Sequence, residues 1–117
     1  MNLELQPTEE VINTWTVIFL PKGGDKYNGK LTVTNKRLVY DMLYNIKSIS
    51  NIVTSSYAVA RGENSVIEIP KTDIIKVEVE KSFFAKKVHV TVTDGTVFTF
   101  SYGMMNIDPV AEAIKAK

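Results

Sequence analysis

The 117-residue sequence contains no cysteine and a single histidine, His89. Disulfide bonds, zinc–thiolate sites and thiol nucleophiles are therefore excluded, and one histidine alone does not make a transition-metal site. His89 lies on the polar side of a valine-rich run, so we interpret it as a surface residue and not as part of a catalytic triad. The sequence predicts no catalytic residue, no metal ligand and no cofactor, and the chain is not expected to be an enzyme.

The sequence also has no long apolar run and no excess of one charge. No stretch approaches the roughly 18 apolar residues that cross a bilayer, and the acidic start MNLELQPTEEV does not resemble a secretory signal. The 14 Lys and Arg residues nearly balance the 13 Asp and Glu residues. Nucleic acid is therefore not an expected partner, and only a local basic patch can attract an anionic surface. We predict one cytoplasmic domain over residues 1–117, peripheral to a membrane at most.

Most of the chain shows the period-two pattern of β-strands. We predict strands at 11–20, 31–34, 37–44 and 65–70, another strand within 71–81, and a hairpin across 86–102. Residues 45–64 are serine-rich and irregular, with one short strand around 52–59. Asn35-Lys36 predicts a tight turn, because Asn tolerates positive φ. Asp94-Gly95 predicts a two-residue type I′ turn.

Within the strand of 71–81, Ile75, Val77 and Val79 are predicted to face the core, opposite a polar face of Lys76, Glu78 and Glu80.

The C-terminal stretch NIDPVAEAIKAK predicts a helix. Asp108 is suited to capping, and Pro109 to the first turn. An apolar face is formed by Ile107, Val110, Ala111 and Ile114. The predicted fold class is mainly β with one C-terminal α-helix, in the form of a bent seven-stranded antiparallel barrel capped by the helix.

Three stretches, GKLTVTNKRLVY, IEIPKTDIIKVEVEKS and VHVTVTDGTVFTFSYG, make the sequence resemble the pleckstrin-homology superfold, most closely its GRAM and bacterial PH-like branch. The similarity covers residues 10–116. It implies the bent barrel with its helix, and it implies binding instead of catalysis: lipid head groups or membrane surfaces in many members, protein contacts or oligomerisation in others. The fold alone does not determine which of these ligands or partners is bound.

Two functions are therefore expected. The first is a non-catalytic binding and assembly module, for protein–protein interaction or self-association into a homo-oligomer, through an exposed sheet edge or a tip formed by Phe83 and Phe84. The alternative is a peripheral membrane module that binds anionic lipid weakly through lysine-rich loops. The candidate lipid or anion contacts are Lys22, Lys26, Lys30, Lys36, Arg37, Lys81, Lys86 and Lys87. The strand after the predicted first loop, residues 21–29, lacks the Lys/Arg-x-Arg pattern of lipid-binding members. Lys36-Arg37 also fits a purely structural turn.

Phe83 and Phe84 occupy a predicted hairpin tip between lysines and are the candidate interaction residues. Two adjacent aromatic residues at a tip cannot both face the core. They can anchor a protein interface, insert into an anionic membrane, or simply be one packed and one exposed side chain. Met104 and Met105, which follow the last strand, are predicted to fill the core.

Overall fold

One antiparallel sheet and one C-terminal helix make up the described part of the chain in the computed structural model, which comprises residues 5–20, 26–42, 57–61 and 64–116. The strands are β1 (Val11–Phe19), β2 (Tyr27–Thr34), β3 (Arg37–Met42), β4 (Ala58–Arg61), β5 (Asn64–Pro70), β6 (Ile74–Lys81), β7 (Lys86–Val92) and β8 (Val97–Ser101), and the helix is α1 (Asp108–Lys115). A short 3-10 turn, Lys71–Asp73, joins β5 to β6.

The predicted fold class, mainly β with one C-terminal helix, is confirmed. The spatial order is β4-β5-β3-β2-β1-β8-β7-β6, which makes eight strands among the described residues where the pattern predicted seven. The additional strand, β4, overlaps the end of the serine-rich segment, where a short strand was predicted. Within the described residues the terminal strands β4 and β6 do not pair, so the sheet is not a closed barrel.

The core lies on the face of the sheet that α1 covers. The helix contacts β6, at one end of the sheet order, as well as β1 and β2 near its middle, so the sheet curves around it. The predicted helical face is confirmed, because Ile107, Val110, Ala111 and Ile114 are all buried. Asp108 is not the cap: it is the first helical residue, and its amide donates to Asn106 Oδ1 at 3.1 Å.

Strand β2 begins at Tyr27, four residues earlier than predicted, because Gly29 belongs to the sheet and not to the loop. Gly29 is opposite Met42 in the register, and a Cβ at this position would lie 2.4 Å from Asp41 O and 2.7 Å from Tyr40 Cζ. The absent side chain makes room for the buried Tyr40 ring, whose hydroxyl donates to Val17 O at 3.1 Å and Tyr27 O at 2.8 Å. Gly29 thus allows one aromatic residue to join three strands.

The β2–β3 turn forms in a different way from the prediction. Asn35 does not have positive φ; among the described non-glycine residues only Thr8 does. The turn is instead closed by the Thr34 hydroxyl, which accepts from the amides of Lys36 and Arg37, each at 3.0 Å. Asn35 holds the N-terminal segment, since its Oδ1 accepts from Glu10 N at 2.7 Å and its Nδ2 donates to Thr8 O at 3.0 Å.

The β7–β8 turn also differs from the predicted type I′. Gly95 has φ +90°, but Asp94 does not have positive φ, and Gly95 N donates to Val92 O at 2.9 Å. This geometry is a type I turn followed by a glycine bulge. The Asp94 carboxylate accepts from Thr96 N at 2.8 Å, and hydrogen bonds with Thr96 hold the pKa of Asp94 below its usual value.

In β6 the predicted core face is wrong at its first position. The β6–β7 register shifts between Ile74 and Lys76, so Ile75 is bulged out of the ladder. Its side chain is 63 % exposed, whereas Ile74, Val77 and Val79 pack against the core. A bulge breaks the period-two alternation on which the prediction relied.

None of the helices in the described ranges has the length and apolar character needed to cross a membrane.

Candidate contact surface

The β6–β7 hairpin ends in a tight loop that carries the two predicted aromatic residues. Ser82 N donates to Ala85 O at 2.9 Å, and the Ser82 hydroxyl accepts from Ala85 N at 3.1 Å. These bonds close the loop around Phe83 and Phe84, which are 81 % and 80 % exposed. Their rings are 5.0 Å apart in an edge-to-face arrangement. The two rings therefore pack on each other and not in the core. The alternative of one packed and one exposed side chain is wrong.

A second loop adds two apolar side chains that the sequence assigned to the core. Met104 and Met105 are 74 % and 61 % exposed, so that assignment is wrong. The loop is fastened beside the hairpin, because Lys86 N donates to Gly103 O at 2.6 Å and Tyr102 N donates to Lys86 O at 2.9 Å. Gly103, with φ +60°, turns the chain out of β8 at this point.

We call Phe83, Phe84, Met104 and Met105 the tip surface. The sequence signal for its second half was present: two methionines lie between a glycine and a helix start, in a segment with no strand or helix period. It was missed because methionine is more often a core residue than a surface residue.

Lysines flank the tip surface on the neighbouring strand ends. Lys81 makes an exposed ion pair with Asp108 at 2.9 Å, and the Lys86 ammonium donates to Ser82 O at 3.1 Å. Lys87 is 4.0 Å from Glu80, and it lines a shallow depression of about 170 Å³ together with Lys26 and Ala85. These are exposed or half-buried cations, in which the charge remains accessible to an anionic surface.

The remaining basic candidates lie elsewhere. Lys30 is exposed on β2, opposite Thr16 and Asp41, and Lys22 falls outside the described residues. Lys36 is at the β2–β3 turn, where its ammonium donates to Pro7 O at 2.6 Å. The seven candidates that the structure describes therefore do not form one patch.

Arg37 is committed to an internal ion pair. Its Nε and Nη2 donate to Glu9 Oε2 and Oε1 at 2.8 and 3.0 Å, and its Nη1 donates to Glu68 Oε1 at 3.1 Å. The Arg37 guanidinium, joined by backbone and Thr34 hydrogen bonds, holds the pKa of the Glu9 carboxyl at about 2. Arg37 thus anchors the N-terminal segment to the sheet and is not part of the contact surface.

The His89 side chain contacts one residue on each of the two neighbouring strands. Its Nδ1 is 2.8 Å from Thr99 Oγ1, and its Nε2 is 3.0 Å from Glu80 Oε1. The three residues form a cross-strand chain on the outer face of the sheet. Among the described residues no group of histidine and carboxylate side chains is placed to hold a metal ion.

A cleft of about 390 Å³ lies beside the β2–β3 turn and is lined by Arg37, Tyr57 and Asp73, among others. Its charged groups are satisfied within the chain: Arg37 binds Glu68, and the Tyr57 hydroxyl donates to Asp73 Oδ2 at 3.0 Å. Burial and the Asp73 contact raise the pKa of Tyr57. The cleft is thus part of the internal polar network.

Comparison with known proteins supports the fold and identifies no activity. No protein-family model matches the sequence, and no curated protein does. Among solved structures, the chain is similar to the crystal structure of the C-terminal domain of an unknown protein from Leishmania infantum. The TM-score is 0.60 at 14 % identity, over 91 % of this chain and 82 % of that one. At this identity the likeness concerns the fold alone.

Proposed function

We propose that this chain is a non-catalytic binding module that docks reversibly on anionic membrane surfaces through the tip surface. The observation that carries the proposal is the exposure of four apolar side chains, from 61 % to 81 %, on two loops fastened to each other. Single exposed apolar residues are common on soluble proteins, but two adjacent phenylalanines with two adjacent methionines beside them are not.

The shape of the tip surface favours a membrane over a folded protein partner. A stable protein interface buries about 800 Å² on each side and needs a complementary pocket for a protruding side chain. Four side chains on two adjacent loops provide little contact area, and the two phenylalanines lie at the tip of a hairpin. A bilayer adapts to such a tip, and partial insertion of two phenylalanines removes their rings from water.

The charges around the tip surface fit the same partner. Lys81, Lys86 and Lys87 flank the loops, and a lysine that is free to face an anionic leaflet contributes about 1 kcal/mol. The exposed pairs of Lys81 with Asp108 and of Lys87 with Glu80 are weak, and lipid phosphates can replace the carboxylates. Lysines act as point charges, without the bidentate fork with which arginine reads a phosphate. Because the arginine of the candidate set is bound to Glu9 and Glu68, we propose recognition of surface charge and not of one head group.

The resemblance to the pleckstrin-homology superfold is a further reason for this proposal, since lipid head groups and membrane surfaces are among the ligands that the resemblance implies. The cytoplasmic location predicted from the sequence is proposed with it.

Vesicle co-sedimentation tests the proposal. The chain is mixed with vesicles of phosphatidylcholine containing 30 % phosphatidylserine, or of phosphatidylcholine alone, in about 0.1 M salt. We expect binding to the anionic vesicles, about tenfold weaker partitioning for Phe83→Ser/Phe84→Ser, and several-fold weaker partitioning for Lys86→Gln/Lys87→Gln. Binding should decrease with added salt.

The matched controls are exposed residues away from the tip. Ile12→Ser/Val97→Ser removes two exposed apolar side chains from other strands, and Lys30→Gln removes an exposed lysine from β2. Both should bind as the native chain does. Equal loss in the controls, or no binding of the native chain to anionic vesicles, contradicts the proposal.

A second candidate is the self-association predicted from the sequence, here through Phe83 and Phe84. The edge-to-face pair of Phe83 and Phe84 favours it, because aromatic side chains are enriched at interfaces. Light scattering tests it: a mass above the 13.1 kDa monomer that persists in high salt and returns to the monomer in Phe83→Ser/Phe84→Ser supports self-association. A monomer at all concentrations excludes it.

A further inference from the structure

A groove runs between strand β6 and the C-terminal end of α1, at the other end of β6 from the tip surface. It has a volume of about 260 Å³ and an apolar lining that includes Ile74, Val77 and Ile114. With about 3.3 Å per strand residue, the groove and the Phe83-Phe84 loop are roughly 20 Å apart. The groove is therefore a separate surface.

Strand β6 is the last strand in the sheet order, and within the described residues β7 is its one strand neighbour. The terminal strand of a sheet presents backbone N–H and C=O groups that an added strand can pair with. The bulge at Ile75 interrupts the ladder only at the start of β6, and residues 76–81 pair with β7 in unbroken register. The regular part of the strand edge thus begins at Lys76, beside the groove, and continues away from it towards Lys81.

The bulge also leaves an apolar side chain at the groove. Ile75 is 63 % exposed and lines it together with Ile74 and Val77. An exposed isoleucine beside an apolar groove is a contact point for an apolar side chain of a ligand, whereas the same residue in regular alternation would be in the core.

The helix end that forms the other wall is fixed in place. The Lys71 ammonium donates to Ala113 O at 2.8 Å and also to Ala116 O, so it satisfies carbonyls that the last turn of α1 leaves free. Because Lys71 is attached to the start of β6 through the 3-10 turn, this contact sets the distance between the helix end and the strand.

All the charged residues that line the groove are lysines: Lys71, Lys76 and Lys115. Lys76 makes an exposed pair with Glu78 at 3.1 Å, and Glu78 and Glu80 follow it on the outer face of β6, beyond the groove lining. An exposed pair of this kind is weak and easily exchanged for another carboxylate. The groove therefore combines an apolar lining with a basic rim.

We propose that this groove binds an extended acidic segment of another protein, which adds to β6 as a further strand. Its backbone pairs with the edge of β6, its apolar side chains contact Ile75 and the groove lining, and its carboxylates face Lys76 and Lys115. Strand addition draws affinity from main-chain hydrogen bonds and specificity from alternate side chains. The proposal is independent of membrane docking by the tip surface.

The test is an NMR titration of the isotope-labelled chain with a capped seven-residue peptide that alternates glutamate and valine. We expect shifts at residues 74–81 and 113–116, and none at the tip surface. The same peptide with its central amides N-methylated, and a peptide that alternates lysine and valine, should bind at least tenfold more weakly. Phe83→Ser/Phe84→Ser should bind the acidic peptide as the native chain does.

A charge exchange provides the sharpest control. Lys76→Glu/Lys115→Glu alters two exposed side chains, so its fold should persist, and it should lose the acidic peptide and gain the lysine–valine peptide. Three results overturn the proposal: no shifts at millimolar peptide, equal binding of the N-methylated peptide, or shifts in β6 that depend on protein concentration without peptide. The last result would show a second copy of the chain in the groove.

Discussion

Glu9 and Arg37, 28 positions apart in the sequence, form a buried two-point ion pair with N–O distances of 2.8 and 3.0 Å. The pair fastens the segment before β1 to the β2–β3 turn, and the Thr34 hydroxyl donates to Glu9 Oε2 at 2.7 Å. A buried pair of this kind contributes little relative to an apolar replacement, but removal of Glu9 takes the two-point partner from the Arg37 guanidinium and leaves it with the single bond to Glu68. The stability of the N-terminal segment should therefore depend on the ionisation of Glu9.

Glu9→Gln should destabilise the chain at pH 7, by an amount on the order of 3 kcal/mol. The folded pKa of Glu9 is lowered from 4.5 to about 2, so its contribution is fully present above its ordinary pKa and is lost as the pH falls through about 2. Urea unfolding at a series of pH values checks this. The difference between native chain and variant should shrink from pH 5 towards pH 2. A difference that stays constant with pH would contradict the assigned role.

Gly29→Ala should destabilise the chain by at least about 2 kcal/mol, because the new methyl group overlaps the backbone oxygen of Asp41, which cannot rotate away. Urea unfolding measures the loss. Asn28→Ala, at the exposed neighbouring position of β2, is the control and should change stability by less than about 0.5 kcal/mol. Equal stability of the two variants would mean that β2 and β3 are not as close as described.

Separate lysine substitutions at the two adjacent isoleucines, Ile74 and Ile75, test the bulge in β6. Ile75→Lys places a charge on an exposed position and should change stability by about 0.5 kcal/mol or less, whereas Ile74→Lys places it against the core and should cost about 2 kcal/mol or more. Thermal or urea unfolding of both variants decides the matter. If Ile75→Lys costs more stability than Ile74→Lys, Ile75 faces the core, as regular alternation predicts, and the bulge is wrong.

The proposals for function concern the two ends of the same strand. At one end β6 leads into the tip surface, where Phe83 and Phe84 are exposed; at the other it borders the groove at Ile75. Neither surface uses a residue of the Glu9–Arg37 pair. Variants of the two surfaces should therefore retain the fold, which is what makes the vesicle and peptide experiments interpretable.

The sequence by itself determined the class of fold, because period-two alternation and a helical apolar stripe are local properties that burial only reinforces. Val88, Val90 and Val92 are buried on one face of β7, and Val110 and Ile114 face the core, as their spacing predicts. It also determined the exposure of at least one aromatic residue in Phe83-Phe84, since adjacent residues at a hairpin tip cannot share one side.

The tertiary structure decided what local pattern cannot encode. The bulge at Ile75 depends on the register between β6 and β7, and the position of the segment before β1 depends on Asn35 and Arg37, which hold it from a distance in sequence. Met104 and Met105 reach solvent because their loop is fastened to Lys86 of another strand. In each case the deciding contact joins residues far apart in the chain, and its free energy outweighs the preference of the local segment.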